Sequence, residues 1–281
     1  MADEGSVTRT ARAKINLALH VTGRREDGYH LLDSVVAFAD FGDGITVAPA
    51  ETLTLTVTGP MAGNLSVGTD NLVMQAAQAI SLGQGAAITL DKQLPIASGI
   101  GGGSADAAAV LDALSDLWDC PLPVPREVLA LGADVPVCLA GKAARMKGIG
   151  EVMTPLTLPP CYVVLANPGI ALATADVFRA LECHDNPVLP ELVELHDAMG
   201  LAQYLHACRN DLEAAARSLA PQIGDVVAAL WATPDCLMAR MSGSGATCFG
   251  LFATAAQATW AADLLTLEHP EWWVRGGALV G

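Results

Sequence analysis

The stretch Pro95-Ile96-Ala97-Ser98-Gly99-Ile100-Gly101-Gly102-Gly103-Ser104-Ala105-Asp106-Ala107-Ala108 places four glycines within five residues and then runs into an alanine-rich helical pattern. Without a Cβ, such a backbone turns tightly and lets a ligand approach closely. The pattern from Ser104 carries Ala108, Leu111, Leu114 and Trp118 on one stripe, which predicts a helix with that face buried. Its first N–H groups and the positive end of its dipole point back at the glycines, which together make an anion site. Generic nucleotide motifs do not fit. No Gly-Lys-Ser/Thr triplet exists in the chain, Ser104 stands where a Rossmann fingerprint from Gly99 needs glycine, and neither Ser104 nor Ser244 sits in a nucleophile elbow. Taken alone, the cluster fits an ordinary loop before a helix equally well.

Upstream, Ala11, Ala13, Ile15, Leu17, Leu19 and Val21 alternate with Arg12, Lys14, Asn16 and His20. Period 2 predicts a half-buried strand from which Lys14 and Asn16 project together. A polar turn at 23–28, an apolar run from Tyr29 to Ala39 and the alternation of Leu53, Leu55 and Val57 make the first sixty residues mainly antiparallel β. Asp70 is the expected N-cap of a helix bearing Leu72, Val73, Ala76, Ala77 and Ile80. A short strand, Ala87–Leu90, leads into the glycine stretch, and Pro121, Pro123 and Pro125 break the chain after its helix.

Gly148, Gly150, Pro155, Pro159 and Pro160 mark the expected boundary between domains 1–154 and 155–281. Beyond it we expect a strand at 162–166 and helices near 174–181, 190–199 and 210–231. A hairpin at 237–253, a helix over 255–266 and a last strand near 272–274 follow. Strands and helices segregated in this way predict two α+β domains.

Composition narrows the partners. The 281 residues carry 15 Lys+Arg against 30 Asp+Glu, a net charge of −15, and the lysines are Lys14, Lys92, Lys142 and Lys147. A nucleic-acid backbone or an anionic membrane needs a basic surface, so neither is an expected partner. Apolar residues make up 52% of the chain and aromatics only 5%, which predicts a core of Ala, Val, Leu and Ile. Seven cysteines with no C-x-x-C pair read as buried thiols of a reducing compartment. The acidic start Met1-Ala2-Asp3-Glu4 is unlike a signal peptide, and no apolar run approaches the ~18 residues of a membrane span. The expectation is a cytoplasmic protein.

Two further segments stand out. Gly132-Ala133-Asp134-Val135-Pro136 sets a carboxylate among apolar residues, as a helix cap, an ion-pair member or a catalytic group. Met241-Ser242-Gly243-Ser244-Gly245-Ala246 puts small residues between two strand-like runs, as a glycine turn would.

Lys14 in A-K-I-N, the glycine stretch, G-A-D-V-P and S-G-S-G-A occur in this order, and the arrangement resembles the GHMP kinase superfamily. Gly28-Tyr29-His30, Asp70-Asn71-Leu72, Leu131-Gly132-Ala133-Asp134 and Asn167-Pro168-Gly169 narrow the resemblance to the branch acting on a cytidine diphosphate derivative. The matches run from residue 13 to about 250. The resemblance implies a ribosomal-S5-like N-terminal domain and a ferredoxin-like C-terminal one, with ATP and substrate between them. It implies ATP- and Mg²⁺-dependent phosphorylation of the 2-hydroxyl of 4-diphosphocytidyl-2-C-methyl-D-erythritol, a step towards isoprenoid precursors by the non-mevalonate route. A monomer or weak homodimer is expected.

By the same resemblance Asp134 is the general base, and Lys14 orients it and stabilises charge. Gly101, Gly102, Gly103 and Ser104 cradle the ATP phosphates, Pro95 and Gly99 belong to the same ATP-binding stretch, Asn71 is the adenine contact and Lys92 lies along the nucleotide's edge. Asn16 holds the substrate hydroxyl. Tyr29, His30, Phe178 and Thr174 take the cytidine, and Ser242 and Gly243 approach the methylerythritol. One departure is Ala105, where the family usually carries a second serine. Asp106 then favours the helix N-terminus electrostatically or assists a metal, and no metal ligand is assigned. His20, His184, His196, His206 and His269 are expected to be structural. The rival readings are another small-molecule GHMP kinase, acting on homoserine or a mevalonate derivative, and a non-catalytic metabolite sensor.

Overall fold

The computed structural model describes residues 5–63, 65–192 and 194–280; Met1–Glu4 lie outside them. The chain runs β1 (Val7–Arg24), β2 (His30–Pro49), β3 (Thr54–Thr58), α1 (Leu72–Ile80), β4 (Ala86–Asp91), α2 (Gly102–Trp118), α3 (Pro125–Leu131) and α4 (Val135–Ala140). It continues through β5 (Ala144–Gly148), β6 (Val152–Pro155), β7 (Cys161–Asn167), α5 (Thr174–Ala180), α6 (Ala198–His206), α7 (Glu213–Leu219) and α8 (Gln222–Ala232). It ends with β8 (Met238–Met241), β9 (Cys248–Phe252), α9 (Ala255–Glu268) and β10 (Trp273–Val280). No helix among the described residues is long and apolar enough to cross a membrane.

The chain forms two compact units, each gathered from separate segments. The first takes the chain up to Ala13, Phe41–Ile96 and Gly101–Gly141. There β4 lies between β3, parallel to it, and the C-terminal part of β2, antiparallel to it. Ile45, Val47, Ile88 and Leu90 point from the sheet into a core completed by Val73, Ala76, Ala77 and Ile80 of α1 and Ala107, Val110, Leu111 and Leu114 of α2. The alternation in β3 appears as exposed threonines between half-buried Leu55 and Val57. The cap of α1 is Asn71, one residue later than expected. Its Oδ1 accepts the Val73 N–H at 2.9 Å, whereas Asp70 accepts the Ser66 hydroxyl at 2.6 Å.

The second unit takes Lys14–Asp40, Ala97–Ile100 and Lys142–Gly281. Its strands follow the order β2-β10-β7-β9-β8, every neighbouring pair antiparallel, with β5 also paired to β2 and β6 paired to β5. The core draws Val164 and Ala166 from β7, Phe252 from β9, Ile223, Val226 and Leu230 from α8, and Ala258, Ala261 and Leu265 from α9.

Three expectations change. The strand β1 is not half-buried: from Ala13 to Val21 both of its faces are covered, including Lys14, Asn16 and His20. The helix expected over 190–199 begins only at Ala198, with Asp197 capping it through the Gly200 N–H at 2.8 Å; Pro187 and Pro190 fall in the irregular segment before it. The helix expected over 210–231 is two helices, α7 and α8, broken at Pro221 because proline cannot donate to the ladder. The Gly-marked stretch at 148–150 is the turn of the β5–β6 hairpin, with both glycines at positive φ (72° and 114°).

Candidate active site

In the second unit β1, the glycine stretch and the serine-glycine turn after β8 are fastened to one another. The Lys14 N–H donates to the Ile100 carbonyl at 3.0 Å, and the Asn16 N–H to Ser242 Oγ at 3.1 Å. That hydroxyl donates onward to the Gly99 carbonyl at 3.0 Å, and the Thr247 N–H reaches the Ser98 carbonyl at 3.1 Å. Asn16 Nδ2 donates to Ser34 Oγ at 2.8 Å. Asn210 holds the turn from behind through the Met241 and Gly243 carbonyls, at 2.9 and 2.8 Å.

Two glycines here have no substitute. Gly99, at φ 75°, would set a Cβ 2.5 Å from the Ser242 carbonyl oxygen, and Gly243, at φ 55°, one 2.6 Å from the Gly99 oxygen. Ser242, expected at the substrate, is fully buried and its hydroxyl is spent on this clasp.

In the first unit the helix α2 starts at Gly102, two residues before Ser104, with Gly101 as its N-cap in the left-handed region (φ 62°). No side chain caps it and no acidic residue stands in its first turn, which leaves its N–H groups to an anion. A Cβ on Gly103 would meet nothing within 4 Å, so neither packing nor backbone strain accounts for a glycine there. A Cβ on Gly132 would lie 3.8 Å from Ser104 Oγ, so the turn leading to Asp134 stands beside that serine. Asp134 is the N-cap residue of α4 but makes no capping hydrogen bond with its side chain.

Lys92 and Asp106 are not where the sequence reading put them. Lys92 is only 3% exposed, and its Nζ lies 2.5 Å from Asp43 Oδ2 and 2.8 Å from Asp106 Oδ2. Burial alone would depress the Lys92 ammonium, but the pull of Asp106 and Asp43 outweighs it and its pKa is raised. Asp106 turns inward from the second turn of α2, so it is neither a dipole partner at the helix start nor an open metal ligand. Asn71 is occupied as the cap of α1, its Nδ2 donating to the Ser66 carbonyl at 2.5 Å. Pro95 is half-buried just after Gln93 and Leu94, whose N–H groups both donate to Asp43 Oδ1.

A third group gathers at α5 in the second unit. His30 stacks on Phe178 with ring centroids 4.8 Å apart and 21° between planes. Its Nε2 is 3.1 Å from Nδ1 of His184, a residue the sequence reading set aside as structural. Burial first, then His184 and Arg24, lowers the His30 pKa, so its ring is neutral at neutral pH. Thr174, one helical turn before Phe178, meets Ser244 Oγ at 2.8 Å. Tyr29, by contrast, is 62% exposed. His20 is structural as expected, fully buried between the Pro187 carbonyl and the Arg209 N–H. Asp43, Ser34 and Asn210 were missed. Asp43 alone left a signal, a carboxylate between Gly42 and Gly44, where Gly42 lets β1 approach closely at Ala11.

The chain is similar to known proteins along nearly its whole length. Residues 71–150 match the family model "GHMP kinases N terminal domain" and residues 188–263 match "GHMP kinases C terminal". A 4-diphosphocytidyl-2-C-methyl-D-erythritol kinase of Cereibacter sphaeroides is 60% identical over 274 residues, covering 96% of this chain and 98% of its own. Its counterpart from Paracoccus denitrificans is 55% identical, with 96% and 95% covered. A crystal structure of 4-(cytidine 5'-diphospho)-2C-methyl-D-erythritol kinase superposes with a TM-score of 0.82 at 35% identity, over 98% of this chain and 100% of that one. A homoserine kinase from Cytophaga hutchinsonii, at 18% identity and a TM-score of 0.66, shares the fold. With this agreement along nearly its whole length, the chain belongs to the GHMP kinases, in the branch of the 4-diphosphocytidyl-2-C-methyl-D-erythritol kinases.

Proposed function

We propose that the chain transfers the γ-phosphoryl group of ATP to the 2-hydroxyl of 4-diphosphocytidyl-2-C-methyl-D-erythritol, giving the 2-phosphate and ADP. The observation that carries this reading is the identity of 60% across 98% of a kinase that bears this substrate's name. Phosphoryl transfer asks a protein to align the groups, neutralise charge and take up the hydroxyl proton. The uncapped first turn of α2, opened by Gly101, Gly102 and Gly103, suits the phosphates. Asp134, at the start of α4 on the segment beside Ser104, is read as the proton acceptor. Lys14, held on β1, supplies positive charge for the reacting oxygens, and Asn16 positions the acceptor alcohol. The His30–Phe178 stack offers a face and an edge to a cytosine ring, with Tyr29 and Thr174 at its margins.

Mg²⁺ is part of the same proposal. No group of three His, Cys, Asp or Glu side chains among the described residues forms a metal cage. Magnesium on a nucleotide needs only one or two protein oxygens beside phosphate and water. The Ser104 hydroxyl, at the first turn of α2, is a hard oxygen donor of that kind. Bound there, the ion would neutralise charge on the transferred group. The two family matches fall on either side of the expected division at 154/155, whereas the compact units change over at Gly141–Lys142 and also exchange earlier segments. A cytoplasmic monomer or weak homodimer completes the reading, with sizing chromatography as its check. The reaction is tested by ³¹P NMR of the protein with Mg-ATP and the cytidyl substrate. A new phosphomonoester signal is expected together with ADP; ADP alone would overturn the assignment.

A further inference from the structure

We propose that His184 is a positioning residue that sets base specificity: it holds the His30 hydrogen on Nε2, leaving His30 Nδ1 to accept from the exocyclic amine of a cytosine. This deepens the cytidyl reading given above and rests on it. His30 has one flank against Phe178, with ring centroids 4.8 Å apart. Its Nε2 lies 3.1 Å from His184 Nδ1, a hydrogen-bonding distance between two ring nitrogens. Its other nitrogen, Nδ1, makes no hydrogen bond among the described residues and is not sealed from solvent. That atom is the one left for a base edge.

The two nitrogens share one hydrogen, so the contact couples the tautomers of both rings. Burial, with His184 and Arg24, lowers the His30 pKa and keeps its ring neutral at neutral pH. If His30 donates from Nε2, both rings hold the Nε2–H form that neutral histidine favours in water. The reverse assignment would force both into the less favoured Nδ1–H form. His30 Nδ1 then carries a lone pair. It suits the amine of cytosine and opposes the carbonyl that uracil has in the same place.

The segment carrying His184 is built to stay in place. It has neither helix nor strand, yet it is fastened at several residues in succession. The Asn186 N–H and Nδ2 donate to the Val21 carbonyl at 3.0 and 3.1 Å, and the Pro187 carbonyl accepts from His20 Nδ1 at 2.8 Å. The Leu189 N–H donates to Asp33 Oδ2 at 3.1 Å, and Arg145 grips both oxygens of that carboxylate. Arg145 also donates to the Leu189 carbonyl at 2.9 Å. A ring carried on so fastened a segment keeps its partner's tautomer, as one on a loose loop would not.

The first measurement is ¹⁵N NMR of the imidazole nitrogens in the intact protein at pH 8, with the His30 signals assigned by comparison with His30→Gln. A protonated Nε2 and an unprotonated Nδ1 are expected for His30, and the reverse would overturn the proposal. The second compares kcat/KM for the cytidyl substrate and for its uridyl analogue. His184→Asn keeps a side-chain oxygen close to the place of Nδ1, whereas His184→Phe keeps a ring and removes the acceptor. The preference for the cytidyl compound should fall about 2- to 12-fold in His184→Phe, the worth of one hydrogen bond, and recover in His184→Asn. The loss should appear in the cytidyl KM rather than in kcat. A preference kept in His184→Phe and lost in His184→Asn would make His184 a packing residue and overturn the proposal. Should the variants not fold, the wild-type spectrum decides alone. Failure of the wild type to phosphorylate the cytidyl compound would overturn the functional reading, and the base specificity with it, while the spectrum still decides the tautomer.

Discussion

The backbone N–H of Lys14 donates to the carbonyl of Ile100 at 3.0 Å, tying the strand that carries the lysine to the glycine stretch. Ser242 closes the same clasp by accepting from Asn16 N–H and donating to the Gly99 carbonyl. Three motifs separated by up to 226 residues therefore share one hydrogen-bond network. Replacing Ser242 by Ala removes one oxygen and strands two buried backbone groups. The expected loss is about 1–3 kcal/mol for each group left without a partner. Urea denaturation checks this, and a variant as stable as the wild type would remove the hydroxyl from the clasp.

Gly99 and Gly103 stand in one motif but should fail in different ways. A methyl at Gly99 collides with the Ser242 carbonyl and forces a non-glycine residue to φ 75°, so Gly99→Ala should lower Tm sharply. A methyl at Gly103 meets nothing within 4 Å. Gly103→Ala should keep its Tm while KM for ATP rises, because the space it fills is the phosphate's. Equal Tm losses in both would mean that the glycines serve packing alone.

Much of the fold was legible where one physical signal dominated. The period of 3.6 in α1 and α2, the alternation in β3 and the small-residue turn between β8 and β9 all survive in the structure. What failed depended on contacts distant in sequence. Lys14, Asn16 and His20 alternate as a solvent face would, yet each is buried, because Ile100, Ser242 and Arg209 supply the partners. Lys92 read as a nucleotide contact because the carboxylate that claims it, Asp43, lies 49 residues upstream. His184 carried no signal; its ring nitrogen finds His30 from 154 residues away, across an irregular segment.

Asp134→Asn tests the proposed proton acceptor. The side chain makes no capping hydrogen bond to α4, so the amide should leave that helix in place. Nucleotide affinity should change little, while kcat falls by about 10²–10⁴, the usual worth of a positioned acid or base. Calorimetry with Mg-ADP and a coupled ADP assay separate the two. Turnover near the wild-type rate would take Asp134 out of the reaction.

The His30–Phe178 stack sets a pH limit on the cytidyl substrate. His30 has its pKa lowered, chiefly by burial, so it is neutral at pH 7 and gains its proton only below the ordinary histidine value of about 6.5. The folded state disfavours the imidazolium, so the stabilising contribution of the pocket is present at neutral pH and lost as pH falls through the lowered pKa. KM for the cytidyl substrate should accordingly rise in acid, with KM for ATP showing no matching break at that pH. Phe178→Ala should raise the cytidyl KM by about 2- to 12-fold at neutral pH, the worth of one ring stack at 0.5–1.5 kcal/mol. Tyr29→Ala, at an exposed position, should raise the same KM without moving Tm. Steady-state kinetics from pH 5 to 8 provide the measurement. A flat cytidyl KM together with an unaffected Phe178→Ala variant would place the cytosine elsewhere.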